Sequence, residues 1–341
     1  MTKNEYMDLL KKQLSSADED FARLLISDFE AHFADGAADG LSEEEIISHL
    51  GNIEDIVEAI PRESAGKEKK TEKTESQMKV NHLVIDAKFA DVTLIPSLNG
   101  KVEVTMINKG SLLSKFTQTM VGEQKGDVFE VRVLPLLSVN NHSDMQISVS
   151  VPMHLTSVKV ISNSGDLKFS KVIFQGTCTV MTANGDIDID SCELEQFDIT
   201  SASGDVVMKR SFADIKVSSA SGDVTVEEGR GEKLVCNTAS GDVKIDGTYH
   251  KLTVKTANGD QTIEIRDIQE LNATTVNGDG HIILPNTDSA KIKLSSVSGD
   301  CIVNEGGSSH QLHRNQQLII KEGLATCNIS TVNGDFVINM G

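Results

Sequence analysis

The sequence contains no tryptophan, and only 4% of its residues are aromatic. Proteins that bind single-stranded nucleic acid or sugars stack rings on aromatic side chains, so this scarcity argues against such a platform. No apolar run approaches the roughly 20 residues of a transmembrane helix. The chain also begins with a polar, acidic segment that lacks a signal-peptide pattern. The sequence therefore predicts a cytoplasmic chain without direct membrane insertion, which reaches the cell envelope only through a partner or another export route.

Basic residues are outnumbered by acidic ones, 32 to 51, which gives a net charge of −19. This charge repels phosphates, so the sequence predicts no nucleic-acid partner. Cysteines are also few, and they show neither a CxxC motif nor paired spacing. We expect them to be buried small hydrophobic residues rather than disulfides or metal ligands. The five are Cys178, Cys192, Cys236, Cys301 and Cys327.

A Ser-Gly-Asp or Asn-Gly-Asp tripeptide occurs nine times between residues 164 and 335. The first seven intervals are 18 to 21 residues long, and the last is 35. Such a period is typical of a repeat architecture. Glycine permits the positive φ of a tight turn between strands, and Ser or Asn before it bonds locally to the turn backbone. The nine structural glycines are Gly165, Gly185, Gly204, Gly222, Gly241, Gly259, Gly278, Gly299 and Gly334.

Apolar residues occupy fixed positions around each turn. The positions seven and five residues before the glycine, and four after it, are apolar in all nine repeats. A spacing of two places alternate side chains on one face of a strand. The position three before the glycine is always Ser or Thr, and we interpret it as a row of hydroxyls that bond to the backbone where the strand bends. Each repeat therefore reads as strand, tight turn, strand and looser return.

One such repeat cannot bury its apolar face, but stacked repeats can, with strands about 4.8 Å apart. The sequence predicts a mainly β protein, a single-stranded β-solenoid of about nine coils of ~19 residues over residues 156–341. An open solenoid end exposes strand edges. Residues 80–155, whose strands follow no clear period, are predicted to be an irregular β cap over one end.

Residues 1–61 are predicted to form a small all-α domain. Three capping boxes begin at Thr2, Ser16 and Ser42, and apolar residues follow at helical spacing, with a fourth helix before Pro61. The range contains 4 basic and 15 acidic residues, a net charge of −11. Residues 62–79 alternate Lys with Glu and Thr and lack apolar periodicity, which predicts a charged flexible linker.

The most distinctive candidate site is the aspartate that follows each turn glycine. A row of carboxylates could bind divalent cations such as calcium, or each could simply accept turn N–H groups and stay solvated. His310 and His313 form an HxxH pair in the 35-residue interval, but no third metal ligand is evident. The aspartates of this candidate cation row are Asp166, Asp186, Asp205, Asp223, Asp242, Asp260, Asp279, Asp300 and Asp335.

Two parts of the chain resemble known families. Residues 80–341, with the SGD/NGD repeats and the segment KFADVTLIPS, resemble the bacterial "putative adhesin" β-solenoid family. Residues 1–61, through ISDFEAHFADGAADGLSEEEIISHLGNIEDI, resemble the HAAS-type helical domain. The resemblance implies a bacterial protein of envelope or stress signalling. Neither family supplies catalytic residues that could be transferred to positions of this sequence.

The sequence thus favours a non-enzymatic interaction or signalling module with adhesin-like surfaces. Residues 1–61 are expected to bind a basic protein partner, because their charge of −11 favours a salt-sensitive association. No catalytic residue and no cofactor are predicted. Two alternatives remain: a polysaccharide-active β-helix enzyme, since parallel β-helices can carry such activity, and a calcium-responsive scaffold built on the aspartate row.

Overall fold

The computed structural model describes residues 1–16, 19–38, 40–50, 53, 71–77, 79–108, 118–135 and 145–341. Its helices are α1 (Lys3–Gln13), a 3-10 turn (Leu14–Ser16), α2 (Glu19–Ala38) and α3 (Glu43–Leu50). The predicted capping boxes at Thr2 and Ser42 are confirmed, since each residue bonds reciprocally to the glutamate three residues later. The box predicted at Ser16 depends on residues outside the described ranges, and most of the predicted fourth helix does so too.

The helical residues have their own core. Tyr6 is fully buried, with its ring centroid 6.0 Å from that of Phe29 and 5.9 Å from that of Phe33. This contact joins α1 to α2, and Ile46 of α3 packs into the same cluster. The helical periodicity of the sequence therefore identified most of the buried face, but Leu9, which it placed there, is 40% exposed. The core comprises Tyr6, Met7, Leu10, Leu14, Leu25, Phe29, Phe33, Ile46, Leu50 and Ile53.

The rest of the described chain is β structure in a single 25-stranded mixed sheet, so the predicted mainly β class with a small helical N-terminal region is confirmed. The first strand lies inside residues 62–79, the range predicted as a flexible linker, and it pairs antiparallel with β4. The part of the predicted linker that forms this strand therefore has regular structure. The strands before the first turn glycine are β1 (Thr71–Glu75), β2 (His82–Lys88), β3 (Asp91–Pro96), β4 (Glu103–Asn108), β5 (Gln118–Lys125), β6 (Val128–Pro135), β7 (Met145–Val151) and β8 (Ser157–Ser162).

Strands β9 to β19 follow the repeat. Strands β15 and β16 are long because each runs from the end of one repeat into the start of the next. The bounds are β9 (Leu167–Ser170), β10 (Thr177–Asn184), β11 (Ile187–Asp190), β12 (Glu193–Ser203), β13 (Val206–Lys209), β14 (Phe212–Ser221), β15 (Val224–Ser240), β16 (Val243–Asn258), β17 (Gln261–Arg266), β18 (Glu270–Asn277) and β19 (Gly280–Leu284).

The C-terminal strands include β22 and β23, the two strands of the 35-residue interval that do not belong to the repeat. The bounds are β20 (Ala290–Ser298), β21 (Cys301–Glu305), β22 (Ser308–Leu312), β23 (Gln317–Ile320), β24 (Ala325–Asn333) and β25 (Phe336–Met340).

Equivalent strands of neighbouring repeats pair in parallel and in register. Val217 of β14 lies opposite Cys236 of β15, and Val226 of β15 lies opposite Ile245 of β16, each pair occupying the same column of the repeat. The apolar positions seven and five before the glycine, and four after it, are at most 2% exposed in all nine repeats. The core therefore runs through the stack as continuous columns, as the spacing of two predicts.

The same columns extend into residues 82–96, beyond the range in which the turn motif occurs. Strands β2 and β3 pair in parallel with β8 and β9, so that Leu83 lies opposite Val158 and Leu94 opposite Phe169. The turn between β2 and β3 has Ala90-Asp91 where the later repeats have Gly-Asp. This repeat escaped the sequence search because it lacks the glycine.

The repeats do not all stack in chain order. Strand β18 pairs with β24, and β24 pairs with β20, so the ninth repeat lies between the seventh and the eighth. The strands after the turn follow the same order, β19 to β25 to β21. At the other end β2 lies between β6 and β8. Near each end of the stack, one position is therefore held by a strand that is distant in sequence from both of its neighbours.

Antiparallel strands cover both ends of the stack. Strands β5 and β4 pair with β6 and β7 at one end, and β23 and β22 pair with β20 and β21 at the other. Unpaired strand edges otherwise template association with other chains, so such covers protect the stack. The 35-residue interval is thus the cover of the C-terminal end, and residues within 80–155 supply the cover of the other end.

One apolar column lacks a side chain at Gly280, and a ring of the inserted ninth repeat fills the space. Gly280 stands where most repeats have an apolar side chain, and Phe336 of β25 lies directly opposite it. A Cβ built on Gly280 would lie only 2.0 Å from Phe336 ring atoms. The Phe336 ring therefore occupies the space that Gly280 leaves, and the small Cys301 lies opposite Phe336 on the other side.

Candidate functional site

The turn glycines stack directly on one another. Gly222 has a φ of +114°, and a Cβ added to it would lie 2.3 Å from the carbonyl oxygen of Gly204 in the preceding repeat. No other residue fits a position that requires both a left-handed φ and so close a contact. Eight of the nine turn glycines have a positive φ, Gly165 being the exception. The glycine column therefore sets the distance between successive turns.

The turn aspartates form a ladder along this edge. In each step the backbone N–H of one aspartate donates to Oδ1 of the aspartate in the adjacent repeat, at 2.8–3.1 Å. The first member, Asp91, was not predicted, because it follows an alanine rather than a glycine. The bonds agree with the stacking order of the strands, and the members in spatial order are Asp91, Asp166, Asp186, Asp205, Asp223, Asp242, Asp260, Asp279, Asp335 and Asp300.

The ladder ends at Asp300, where no further repeat supplies an N–H group. Instead, His313 Nδ1 lies 2.8 Å from Asp300 Oδ1, and Gln311 Nε2 donates to Oδ2 at 2.9 Å. These bonds, that of His313 foremost, hold the pKa of the Asp300 carboxyl below its ordinary value. His313 of the HxxH pair thus contacts the last aspartate, whereas His310 lies opposite Val303 on β22. The described residues contain no group of three His, Cys, Asp or Glu side chains suited to a metal ion.

The buried hydroxyl row behaves largely as the sequence analysis expects. Six of the nine hydroxyls donate to carbonyl oxygens of their own turn, at 2.9–3.4 Å. Those of Thr182, Thr275 and Thr331 have no hydrogen-bond partner among the described residues. Most of this row therefore stabilises the turn by bonding to its backbone.

All five cysteines are buried, as the sequence predicts. Burial raises the pKa of the Cys192 thiol to about 11 and that of Cys236, Cys301 and Cys327 to about 12. It raises the pKa of Cys178 as well. Thiols with such pKa values stay protonated at neutral pH and are poor nucleophiles. The cysteines are thus components of the core.

A second corner of the repeat has no sequence signature. Six residues after the turn glycine, Ser191, Arg210 and Glu228 adopt left-handed backbone conformations with φ of +57°, +47° and +53°. None of these residues is a glycine or asparagine, and the column has no constant residue type, so the pattern of the sequence did not mark this corner. Two residues further along, Phe212 and Arg230 begin the return to the next repeat.

A surface hollow of about 440 Å³ lies at this corner. Phe212 is 56% exposed there, although the sequence analysis expected no aromatic platform. Glu193 lies opposite Phe212 in one adjacent repeat and Arg230 in the other, so the three outward side chains form one row. The hollow is lined by Glu193, Arg210, Ser211, Phe212, Glu228 and Arg230.

Two family models together match most of the chain. The model of Toastrack DUF4097 matches residues 80–339, and the HAAS model matches residues 5–59. No curated protein matches the chain. None of the described helices is long and apolar enough to cross a membrane.

Solved bacterial structures match the chain at low identity. A "putative adhesin" from Parabacteroides distasonis ATCC 8503 is 15% identical, with a TM-score of 0.50 over 80% of this chain and 98% of that one. A "putative adhesin" from Parabacteroides merdae ATCC 43184 is 13% identical, with a TM-score of 0.48 over 80% and 96%. A "Putative lipid binding protein" from P. distasonis ATCC 8503 is 14% identical, with a TM-score of 0.42 over 80% and 96%. At these identities the likeness concerns the fold alone.

Proposed function

Because the chain belongs to the Toastrack DUF4097 family and carries an N-terminal HAAS domain, we propose that it is a non-enzymatic interaction or signalling module. The helical domain binds a basic protein partner, and the β domain is a rigid spacer with a second contact surface. In this proposal the chain acts in the cytoplasm and reaches the cell envelope through its partner. The observation that carries the proposal is that apolar side chains form the core of the helical domain while its acidic side chains are exposed.

The helical domain directs its charge outward. Its ten-residue core is apolar apart from the tyrosine hydroxyl, whereas Asp8, Glu30, Glu43 and Glu44 are exposed. Four basic residues cannot neutralise fifteen acidic ones. Such a surface accelerates association with a positively charged protein and makes the complex salt-sensitive.

The β domain is suited to a spacer. We infer that it is a solenoid whose successive coils are the repeats, which the parallel in-register pairing of equivalent strands supports. Its second contact surface would include three exposed valines near the turn edge, Val276, Val332 and Val297. These valines belong to the seventh, ninth and eighth repeats, which are spatial neighbours in that order.

The test uses the full chain as bait in an extract of the native host at low and high salt. We expect a basic partner that is retained at low salt and lost when Glu43→Lys and Glu44→Lys are combined. A matched double reversal on the β domain, Glu270→Lys with Glu264→Lys, should leave binding intact. A partner that binds both variants equally well, or that resists high salt, would refute the role of the acidic helices.

The calcium alternative makes a different prediction. A ligand that binds only the folded state raises the melting temperature. Since every Oδ1 in the ladder already accepts a backbone N–H or, at Asp300, a side-chain bond, we expect millimolar calcium to leave the melting temperature unchanged. A calcium-dependent rise that disappears when Asp223→Asn and Asp242→Asn are combined would favour the scaffold alternative. Turnover of a polysaccharide would likewise favour the enzyme alternative.

A further inference from the structure

We propose that the hollow around Phe212 binds a uronic-acid unit of an acidic polysaccharide. This site lies on the β domain and is independent of the protein partner proposed for the acidic helices. Three properties of the hollow support this assignment: a rigid backbone, an arginine without a carboxylate partner, and an exposed ring near two acidic side chains.

The backbone under the hollow is fixed by bonds between adjacent repeats. Phe212 N donates to the carbonyl of Cys192 at 2.8 Å, and Arg230 N donates to that of Ser211 at 3.0 Å. The buried Ser211 hydroxyl donates to the carbonyl of Lys209 at 2.8 Å and accepts from Cys192 N at 3.1 Å. The side chains of the hollow therefore project from a preorganised frame, which lowers the entropic cost of binding.

Arg230 is available to bind an anion. Elsewhere in the described β domain Arg132 bonds Glu130, Arg210 bonds Asp190, and Arg266 bonds Asp246 and Glu264. Arg230 and Arg314 have no carboxylate partner among the described residues, although the protein carries a net charge of −19, and of these two only Arg230 lines the hollow. A guanidinium binds a carboxylate through two parallel hydrogen bonds, and this geometry selects a planar carboxylate.

The surroundings of Arg230 specify the rest of the ligand. The half-exposed ring of Phe212 offers an apolar face to the C–H face of a sugar ring. Glu193 and Glu228 are exposed and bear hydrogen-bond acceptors only, so they favour a ligand with several hydroxyl donors. Their charge disfavours two negative charges on the single group that contacts Arg230, as in a phosphate monoester, whereas a uronic-acid unit brings one. A sugar acid combines one carboxylate, one ring and several hydroxyls, and a carboxyl-terminal peptide lacks the hydroxyls.

The proposed contacts with Phe212 and Arg230 involve a single sugar unit, so the affinity of an isolated oligosaccharide is modest. Few atoms of the ligand lose contact with water. The free energy gained from its contacts therefore exceeds the entropic cost of immobilising the ligand by only a small amount. We expect a dissociation constant on the order of 0.1–1 mM, which corresponds to roughly 4–5.5 kcal/mol.

The experiment titrates the full chain with trigalacturonic acid and, separately, with a neutral trisaccharide of galactose, with saturation-transfer NMR and calorimetry as readouts. We expect saturable binding of the acidic sugar only. Phe212→Ala and Arg230→Ala should each weaken it about tenfold, the loss of one good contact. The controls are Phe89→Ala, another partly exposed phenylalanine, and Arg314→Ala, an exposed arginine in the 35-residue interval, and both should bind as the wild type does.

Each opposing result is decisive once unchanged melting temperatures show that the variants are folded. Absence of saturable binding, equal binding of the neutral sugar, or wild-type affinity in both Phe212→Ala and Arg230→Ala would overturn the proposal. A peptide with a free terminal carboxylate that competes for the hollow and binds more tightly than trigalacturonic acid would also overturn it, and would identify a peptide-docking site instead. None of these results affects the test of the acidic helices.

Discussion

The middle repeats and the C-terminal repeats share one turn and one set of columns, yet they stack by different rules. From β10 to β18 each repeat pairs with the next one in the chain. Beyond β18 the chain leaves one position open, forms the eighth repeat and the end cover, and returns to fill the gap with β24 and β25.

The difference shows that the repeated strand pattern does not by itself determine which repeat pairs with which. Backbone bonds between parallel strands are alike for every repeat, so they cannot select a stacking order. Side chains distinguish the inserted repeat. Asn328 donates to Asn272 on one side, and Asn304 donates to Asn339 on the other, each at 2.9 Å. Together with Phe336 over Gly280, these contacts specify the position of the ninth repeat.

A charge in the middle of the stack should have the largest effect. Val226→Asp places a carboxylate at a position that is 1% exposed, between Met208 and Ile245. Burial of an unpaired charge costs several kcal/mol, so we expect loss of the cooperative thermal transition by circular dichroism. Thr225→Asp, on the outward face of the same strand, is the matched control and should melt near the wild type. Similar melting temperatures for both variants would contradict the assignment of faces.

Truncation of the ring at the inserted repeat should have the next largest effect. Phe336→Ala removes a fully buried ring and should cost about 3–5 kcal/mol in the free energy of unfolding. Phe212→Ala, the same change at a half-exposed ring, should cost far less. Denaturant unfolding measures both.

A double-mutant cycle sharpens this comparison. Gly280→Ala alone should destabilise the protein, because the new Cβ meets the Phe336 ring, and it should be tolerated better in a Phe336→Ala background. Independent effects of the two substitutions would mean that these residues, 56 positions apart, are not neighbours.

A disulfide tests the stacking order directly. Asn272 and Asn328 lie in register on adjacent strands, whose Cα separation suits a disulfide. Oxidised Asn272→Cys/Asn328→Cys should therefore contain the bond and gain up to about 4 kcal/mol of stability. Asn272→Cys/Lys293→Cys, the pair expected if the repeats stacked in chain order, should remain reduced. Mass spectrometry of tryptic peptides distinguishes the two, and the reverse outcome would refute the insertion.

The smallest effect concerns the end of the aspartate ladder. Since the pKa of Asp300 is lowered in the folded protein, its contribution to stability is present above the ordinary aspartate pKa and lost as pH falls below it. We expect wild type to melt slightly above Asp300→Asn at pH 6 and the difference to shrink as the pH falls below the ordinary aspartate pKa and through the lowered one. Asp223→Asn, within the ladder, is the comparison variant. A difference between wild type and Asp300→Asn that persists at low pH would show that the contacts of His313 and Gln311 do not depend on the carboxylate.

Much of the local structure was predictable because it depends on residues close together in the chain. The alternation of apolar positions identified Val217 and Val226 as core residues, and the glycines identified the turns. The capping boxes located the starts of α1 and α3. The repeat at Ala90-Asp91 and the corner at Arg210 were missed because neither carries a glycine, although β2 and β3 pair in register with the next repeat and Arg210 adopts a left-handed φ.

The sequence by itself determined the strand and turn pattern, the inward face of each strand and the acidic helical domain, since each follows from periodicity over a few residues. Only the tertiary structure decided which repeat stacks on which, and hence that Asp300 ends the aspartate ladder and that Phe212 stands beside Arg230 above a hollow. The physical reason is that backbone pairing is the same for every repeat. Side chains far apart in the chain, such as Gly280 and Phe336, select among the stacking orders only once they are in contact.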